Sequence, residues 1–138
     1  MITRSAVYVP EIVEQCVAKR VRSIVIVSTG FAERDAEGLA AERAIVVRAR
    51  GAGMRVLGPG SMGVVNTHVD VSMAAVIGGT PVAPGRVGIL SQSGALGIGL
   101  LRWATRLGLG VSSFVAVGNK ADVSGNDVLQ HWEDDDAT

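Results

Sequence analysis

The chain has 138 residues, 48% of them hydrophobic and 4% aromatic, and its 13 basic residues balance 13 acidic ones. A net charge of zero disfavours nucleic acid or an anionic membrane surface as the partner. The sequence shows neither an apolar run long enough to span a bilayer nor a signal-peptide pattern. A single cysteine, Cys16, cannot form an intrachain disulfide, so we expect a reducing, cytoplasmic location.

The first part of the chain alternates predicted strands and helices. Ser5–Val9 is β-branched and aromatic, which predicts a strand, and Pro10 then opens a helix. Ser23–Val27 is a continuous apolar run, typical of a strand covered on both faces. This order predicts a βαβ unit with parallel pairing. Thr29-Gly30-Phe31 follows at a strand's carboxyl end, where open α/β sheets place ligands, although an ordinary loop with Phe31 tucked inward explains the same residues.

A second helix and a second short strand follow. The spacing predicts a helix over about 37–52, with one apolar side (Ala41, Ala44, Ile45 and Ala49) and one polar side (Glu42, Arg43 and Arg50). Arg55–Leu57 is a predicted strand, and Gly58–Gly63 is too rich in glycine and proline to be regular. Residues 67–85 show no strong period. Val69–Met73 is a candidate minor strand, and the glycines and prolines after it predict a linker, which divides the chain into domains at residues 1–80 and 85–138.

Residues 86–107 are the stretch around which the rest is arranged. They predict a strand (Val87–Leu90), a turn, and a helix whose large apolar residues recur at helical spacing, at Leu96, Leu100, Trp103 and Leu107. The turn is Ser91-Gln92-Ser93-Gly94, and Ser93 is a candidate N-cap. Free N–H groups and the helix dipole make such a turn an anion site. A purely structural βα turn explains the same residues equally well.

The last part of the chain repeats the strand, loop and helix order. Val111–Val117 is a predicted strand, and the final helix carries Val128, Leu129 and Trp132. In the loop between them, Asp122 and Asp127 invite interpretation as a metal pair. We favour Asp127 as the helix cap and Asp122 as a loop-ordering residue. Lys120 in the same loop is better explained as a solvated charge than as a phosphate ligand.

The predicted strands are few for segments as apolar as Ser23–Val27. Two or three strands per unit are too few to cover both faces of such segments without leaving an exposed edge. We therefore expect exposed hydrophobic edges, and either a longer protein of which this chain is a piece or a partner that supplies the missing elements.

Five segments together resemble, in order and spacing, the α-subunit-type chain of NDP-forming acyl-CoA synthetases, the succinyl-CoA synthetase superfamily. They are AVYVP (6–10), VRSIVIVSTGF (21–31), GMRVLGPGSMGVVNT (53–67), PGRVGILSQSGALG (84–97) and VGNKADVSGNDVLQHWEDDDAT (117–138). The last two most resemble the ADP-forming acetyl-CoA synthetase branch and related chains fused to a protein lysine acetyltransferase domain. The resemblance implies an α/β fold: part of a CoA-binding Rossmann-like domain, then part of a flavodoxin-like acyl-CoA ligase domain, with parallel sheets.

The resemblance also implies ligands and site residues. CoA is expected beside the ends of strands in the first domain, at Tyr8, Val9, Pro10, Ser28, Thr29, Gly30, Phe31, Gly58, Pro59 and Gly60. The turn at Ser91, Gln92, Ser93 and Gly94 is expected to face the phosphate of a phosphohistidine. An ATP-grasp partner domain or subunit would bring ATP or ADP with Mg²⁺, and the assembly would be an oligomer or a longer chain.

Three departures from the family pattern limit this transfer. Gly60 stands where the family has asparagine, in the turn Gly58-Pro59-Gly60-Ser61. The family's opening strand and glycine-rich loop are missing. Neither His68 nor His131 matches the position of the family's phosphorylated histidine, so we expect no catalytic residue in this chain, and both histidines are interpreted as surface or structural residues.

Three functions follow as hypotheses. The first is a piece of an acid–thiol ligase that converts an acyl-CoA, phosphate and ADP to the free acid, CoA and ATP; by itself this piece is expected to be inactive. The second is a module of a protein lysine acetyltransferase that senses CoA or acyl-CoA without ligation. The third, a flavodoxin-type flavin binder, ranks last because few aromatic residues are available to stack on a flavin.

Overall fold

The computed structural model describes residues 1–79 and 81–138, and in those residues it shows an α/β fold with two sheets and four α-helices. The helices are α1 (Val9–Ala18), α2 (Ala36–Gly51), α3 (Gly94–Arg106) and α4 (Gly125–Glu133). The strands are β1 (Ser23–Val25), β2 (Arg55–Leu57), β3 (Gly63–Asn66), β4 (Met73–Val76), β5 (Pro84–Ser91) and β6 (Val111–Ala116). Over the described part of the chain, no helix is long and apolar enough to cross a membrane.

The first sheet is small and parallel. β1 and β2 pair with Ile24 opposite Val56. The amino-terminal segment adds a parallel bridge, because Ile2 donates its N–H to Val25 and accepts the N–H of Val27 at its carbonyl oxygen. The sheet shares one apolar core with α1 and α2, whose buried residues are Ile2, Val9, Val13, Ile24, Ile26, Phe31, Ile45, Ala49, Met54 and Val56. The sheet is parallel, as predicted, but the partners of β1 are β2 and Ile2 and not the predicted strand at Ser5–Val9.

The predicted strand at Ser5–Val9 is wrong. Ala6–Tyr8 forms a 3-10 helix that runs directly into α1, and Pro10 lies in the first turn of α1. Proline lacks the N–H that a strand would donate, and its fixed φ suits the first turn of a helix. These two effects outweigh the β propensity of the valines and the tyrosine. Ile2, not this segment, provides the pairing beside β1.

The second helix and the second strand confirm their predictions. α2 begins after Asp35, whose carboxylate accepts the Gly38 N–H at 2.7 Å, and β2 has the predicted bounds. The side assignments hold only in part. Ile45 and Ala49 are buried as expected, whereas Ala41 and Ala44 are exposed. Glu42, predicted on the polar side, is buried. A carboxylate buried on a helix requires a partner, which is described below.

The second sheet is mixed, with strand order β4-β3-β6-β5. β5 and β6 are parallel as expected, but β3 is antiparallel to both β4 and β6. The candidate strand at Val69–Met73 is wrong, since β4 starts at Met73 and the N–H groups of Val71 and Ser72 bond to the His68 carbonyl instead. The short connection from β3 to β4 reverses the chain, which permits only antiparallel pairing.

The segment before the predicted linker therefore contributes to the same sheet as the segment after it. β3 and β4 precede residue 80, and β6 follows residue 85, yet β3 pairs with β6 from Gly63 opposite Ala116 to Asn66 opposite Ser113. The division into domains at 1–80 and 85–138 remains a prediction.

α3 presents two different apolar stripes. Its sheet-facing side is made of Gly97, Ile98, Leu101 and Ala104, all buried. The large residues that mark the period in the sequence lie on the other side: Leu96, Trp103 and Leu107 are all at least 60% exposed. A methyl group on Gly97 would lie 2.8 Å from the Phe114 ring, so a small residue is required where the helix meets β6.

Candidate functional site

The turn between β5 and α3 is closed by its own side chains. Ser91 is buried, and its hydroxyl donates to the Ser93 carbonyl at 2.7 Å. Ser93 is the N-cap of α3, as the sequence predicted, and its hydroxyl accepts the Leu96 N–H at 3.4 Å. The backbone of the turn is thus held by hydroxyl groups that use the Leu96 N–H but not the N–H groups of residues 92–95.

Those N–H groups are available to a ligand. Over residues 1–79 and 81–138, no protein acceptor bonds to the N–H of Gln92, Ser93, Gly94 or Ala95. Gln92, Ser93 and Ala95 are exposed. Unpaired N–H groups at the N-terminus of a 13-residue helix, together with the helix dipole, favour an anion.

Met62 closes one side of this turn. A side chain on Gly94 would overlap Met62, which is partly buried against the core of the second sheet. Met62 follows Ser61, whose hydroxyl donates to the Ala116 carbonyl at the end of β6. The Val117 N–H then donates to the Ser91 carbonyl at 2.9 Å. The turn after β5 and the chain leaving β6 therefore lie side by side at one sheet edge.

A cleft of about 480 Å³ lies where the first sheet ends. Of the residues expected at CoA, it is lined by Ser28, Thr29 and Gly30. The remaining lining comes from the amino-terminal segment, from the residue before Ser28 and from the segment after Phe31: Thr3, Arg4, Ser5, Ala6, Val27 and Arg34. Ser28 is buried and donates its hydroxyl to the Arg4 carbonyl, which fixes the two walls of the cleft to each other.

The other residues expected at CoA do not line this cleft. Tyr8 is half exposed, with its ring centroid 5.2 Å from the guanidinium carbon of Arg4, a cation–π distance. Pro10 is exposed, whereas the side chains of Val9 and Phe31 are buried in the core. Because Val9 and Phe31 are 0% and 1% exposed as whole residues, a contact of either with CoA remains a prediction.

The turn at Gly58, Pro59 and Gly60 lies behind the cleft. Gly58 and Pro59 are buried, and Gly60 donates its N–H to the Ser28 carbonyl at 3.0 Å. The turn therefore supports loop 28–31 from below. A direct contact with a ligand remains a prediction for these three residues.

The loop after β6 packs onto this same turn. The N–H groups of Asn119, Ala121 and Val123 donate to the carbonyl groups of Pro59 (2.8 Å), Gly58 (3.2 Å) and Val56 (3.1 Å). A side chain on Gly118 would overlap the Pro59 carbonyl, so the two backbones approach as closely as glycine allows. The carboxyl ends of both sheets meet along this line.

Sequence reasoning missed a polar cluster at this junction. Asn119 donates from Nδ2 to Oε2 of Glu33 at 2.6 Å and to Oε2 of Glu42 at 2.8 Å. Oε1 of Glu33 accepts the N–H groups of Gly30 and Phe31. Partial burial acts to raise the pKa of Glu33, but the hydrogen bonds from Asn119, Gly30 and Phe31 outweigh it and lower the pKa to about 2.

Asp122 and Asp127 do not form a metal pair. The side chain of Asp122 is 0% exposed and bonds to Arg50 and Arg55, and Asp127 bonds to Arg55 at 3.3 Å. Burial acts to raise the pKa of Asp122, but Arg55, the Val56 N–H and Arg50 lower it overall. Across the described residues, no three histidine, cysteine or acidic side chains are grouped to hold a metal.

Asp127 acts at the start of α4, as a partner of the cap. The N-cap itself is Ser124, and Asp127 accepts the N–H and the hydroxyl of Ser124, which completes a capping box. The hydroxyl and N–H of Ser124 lower the pKa of Asp127 to about 2. The prediction that Asp127 is the cap residue is thus wrong by three positions, although its side chain does stabilise this helix start.

The two histidines and Lys120 are surface residues. His68 lies in the loop before β4, where its Nδ1 accepts the Asp70 N–H at 3.3 Å, and His131 is exposed on α4. Lys120 is exposed and has a positive φ of 59°. These placements agree with the interpretation of all three as solvated side chains.

Comparison with known proteins places this geometry in a class. The model of a CoA binding domain matches residues 1–67, and that of a succinyl-CoA ligase like flavodoxin domain matches residues 84–138. The chain thus combines a CoA binding domain sequence with a succinyl-CoA ligase like flavodoxin domain sequence.

Relatives along the whole chain define the family. The chain is 43% identical to the acetate–CoA ligase [ADP-forming] I subunit alpha of Pyrococcus furiosus over all 138 residues, and 38% identical to acetate–CoA ligase [ADP-forming] I of Archaeoglobus fulgidus. The chain belongs to the NDP-forming acyl-CoA synthetase superfamily. It spans 29% and 20% of the length of these two relatives.

Solved structures share the fold of this chain. A dinucleotide forming acetyl-coenzyme A synthetase 1 of Candidatus Korarchaeum cryptofilum, in complex with phosphate and ADP, superposes with a TM-score of 0.90 at 35% identity; the match covers 99% of this chain and 29% of that one. ATP citrate lyase from Methanothrix soehngenii, in complex with citrate and coenzyme A, shares the fold with a TM-score of 0.73 at 20% identity, over 97% of this chain and 22% of that one.

Proposed function

We propose that this chain supplies the CoA-binding and phosphoryl-holding parts of an ADP-forming acyl-CoA synthetase. The observation that carries the proposal is the chain of contacts between two sites, one at the carboxyl end of each sheet. The cleft at Ser28, Thr29 and Gly30 connects, through the Gly58–Gly60 turn and Met62, to the free N–H groups at the start of α3.

The reaction would convert an acyl-CoA, phosphate and ADP to the free acid, CoA and ATP. Phosphate displaces CoA from the acyl carbon and gives an acyl phosphate; its phosphoryl group passes to a histidine and then to ADP. Each transfer requires stabilisation of negative charge on the phosphoryl oxygens. In this chain the N–H groups of residues 92–95 and the dipole of α3 would provide it.

The cleft of the first sheet fits the phosphate-bearing part of CoA. Arg4 and Arg34 place two cations in its lining, and Thr3, Ser5 and Thr29 add hydroxyl donors. Arg4 is held against the Tyr8 ring. Guanidinium and hydroxyl donors of this kind bind the oxygens of phosphate groups such as those of CoA.

The remaining parts of the machinery belong to the proposal as well. An ATP-grasp domain or subunit would bring ADP with Mg²⁺, and a histidine other than His68 and His131 would carry the phosphoryl group. Residues 1–80 and 85–138 would act as the CoA-binding and the flavodoxin-like domain. A reducing, cytoplasmic setting follows from the single cysteine. The ligase names of the relatives above support this function over a sensing module of an acetyltransferase.

Calorimetric titration of CoA tests the first site. We expect measurable heat from the wild-type chain and none from Thr29→Asp, which adds a negative charge to the cleft wall. Asn126→Asp adds the same charge at an exposed position of α4 and serves as the matched control. Absence of heat from the wild type at millimolar CoA would contradict the assignment.

Titration with inorganic phosphate, followed by amide NMR, tests the second site. We expect shifts confined to residues 92–95. The N-terminus of α4 is an internal control, because the carboxylate of Asp127 already occupies it.

A separate labelling test with γ-labelled ATP and an ATP-grasp partner should leave this chain unlabelled. Acid-labile phosphate on His68 or His131 would overturn the proposed division of roles.

A further inference from the structure

One side chain links loop 28–31 to the second sheet. Asn119 follows the end of β6 by three residues, and its amide nitrogen donates to Glu33 and Glu42, which lie 86 and 77 positions away. Its own N–H is fixed on the Pro59 carbonyl at 2.8 Å. The backbone of Asn119 is therefore held by Pro59, and its side chain is held by two carboxylates.

The amide of Asn119 suits this position. Two carboxylate oxygens approach its nitrogen, and the NH₂ group offers a separate hydrogen to each of them. A carboxylate here would face two others, and an aliphatic side chain would leave the buried Glu42 without this donor.

Glu33 transmits this contact to the cleft. Its second oxygen accepts the N–H groups of Gly30 and Phe31, and Gly30 lines the cleft. Asn119 also flanks Gly60: a methyl group on Gly60 would lie 3.6 Å from Oδ1 of Asn119 and 3.9 Å from Cγ2 of Thr29. Residue 119 thus borders the cleft loop on two sides without lining the cleft.

We propose that Asn119 is a positioning residue for CoA: it holds Glu33, and through Glu33 it fixes the backbone of loop 28–31 at the cleft. This inference rests on the proposed function. It assigns the second unit a part in CoA binding, since the residue that shapes the loop is delivered by the chain leaving β6.

The experiment compares three proteins by calorimetric titration of CoA. Asn119→Ala should bind CoA about tenfold more weakly than the wild type, the loss expected for a hydrogen bond to a charged group. Asn126→Ala, which removes an exposed asparagine from α4, should bind as the wild type does. Amide NMR should show shifted Gly30 and Phe31 signals in Asn119→Ala alone.

A pH series separates positioning from a general loss of structure. Asn119→Asp places a third carboxyl group against Glu33 and Glu42, so one of the three should take up a proton as the pH falls from 7 towards 5. CoA affinity of that variant should recover over this range, while Asn119→Ala stays weak and the wild type stays constant. A purely structural residue would give no such recovery.

The outcomes distinguish this inference from the proposed function. If the wild type binds CoA and Asn119→Ala binds within twofold of it, the inference is overturned and the CoA site stands. If the wild type does not bind CoA, the proposed function fails and the inference fails with it. If Asn119→Ala does not fold, Glu33→Gln tests the same contact from the other side and should also weaken CoA about tenfold.

Discussion

The carboxylate of Asp122 accepts the backbone N–H of Val56 at 2.7 Å, although the two residues lie 66 positions apart. Val56 is the central residue of β2, and Asp122 belongs to the loop after β6. Arg50 and Arg55 approach the same carboxylate from the end of α2 and from β2. A single buried acid therefore joins the first unit to the second, and its removal tests that junction.

Asp122→Ala should lower the free energy of unfolding by about 2–4 kcal/mol, because it leaves the Val56 N–H and the Arg50 guanidinium without their acceptor and removes one of the two carboxylates that bind Arg55. Asp122→Asn should cost less, since its amide oxygen still accepts the N–H. Urea unfolding measures both. Asp136→Ala removes an exposed acid and should stay within about 0.5 kcal/mol of the wild type. A loss that small for Asp122→Ala would show that the junction does not depend on this group.

Acid should destabilise the protein below about pH 5. The pKa values of Glu33 and Asp127 are lowered to about 2 in the folded chain. Because unfolded carboxyl groups titrate at about 4, their stabilisation is complete above that pH and is lost as the pH falls through the folded pKa. Urea unfolding at several pH values between 7 and 2.5 should show this slope. The double variant Glu33→Gln with Asp127→Asn should flatten it; an unchanged slope would assign acid sensitivity to other groups.

Gly118→Ala should be far more damaging than Gly108→Ala. Both glycines have positive φ, but a side chain on Gly118 would overlap the Pro59 carbonyl, whereas Gly108 has open space around it. Gly108→Ala should cost about 1 kcal/mol for its backbone conformation alone. Gly118→Ala should cost at least about 2 kcal/mol more, because the loop must move off the Gly58–Gly60 turn. Equal losses in thermal unfolding would mean that this close approach contributes nothing.

The two sides of α3 should respond differently to truncation. Leu101 is 0% exposed and faces the sheet, whereas Leu107 is 60% exposed. Leu101→Ala should cost about 3 kcal/mol, and Leu107→Ala should stay within about 0.5 kcal/mol. The fluorescence of Trp103, 63% exposed, should be readily quenched by iodide. A large loss for Leu107→Ala would indicate that its side chain is covered in solution.

Gly94 and Met62 should be energetically coupled. Gly94→Ala forces its new methyl group against Met62 and should cost about 1–2 kcal/mol. In a Met62→Ala background the same change should be neutral or stabilising by up to about 1 kcal/mol, because alanine is the better helix former. Urea unfolding of the four proteins gives the coupling energy. Additive effects would show that Met62 does not cover the turn.

Local patterns sufficed for the features that depend on neighbours in the chain. The strands at 23–27 and 111–117 and the helix over 37–52 could be predicted because the spacing of apolar residues along the chain indicates them. The cap of α3 at Ser93 belongs to the same group. α3 itself shows the limit: its buried side is made partly of Gly97 and Ala104, whose small size matters only once Phe114 is placed against them.

The contacts that define the junction could not be found in this way. Glu33 and Glu42 meet Asn119 only because the ends of two sheets come together, and Asp122 meets Arg50 and Arg55 for the same reason. One weak local signal was present: Glu33 follows Gly30 by three residues, a spacing at which a carboxylate can accept the N–H groups of a turn. β3 was missed because its pairing with β6 is equally remote.

The hydrogen bonds from the loop after β6 to Val56, Gly58 and Pro59 also affect the order in which the chain folds during synthesis. During translation, β2 leaves the ribosome more than sixty residues before its outer edge can be covered by Val123, a separation close to the 66 positions between Val56 and Asp122. Until then the nascent chain exposes the backbone of that strand to chaperones and to other unfinished chains. The first sheet can therefore complete its hydrogen bonds only after the loop that contains Asp122 and Val123 has been synthesised.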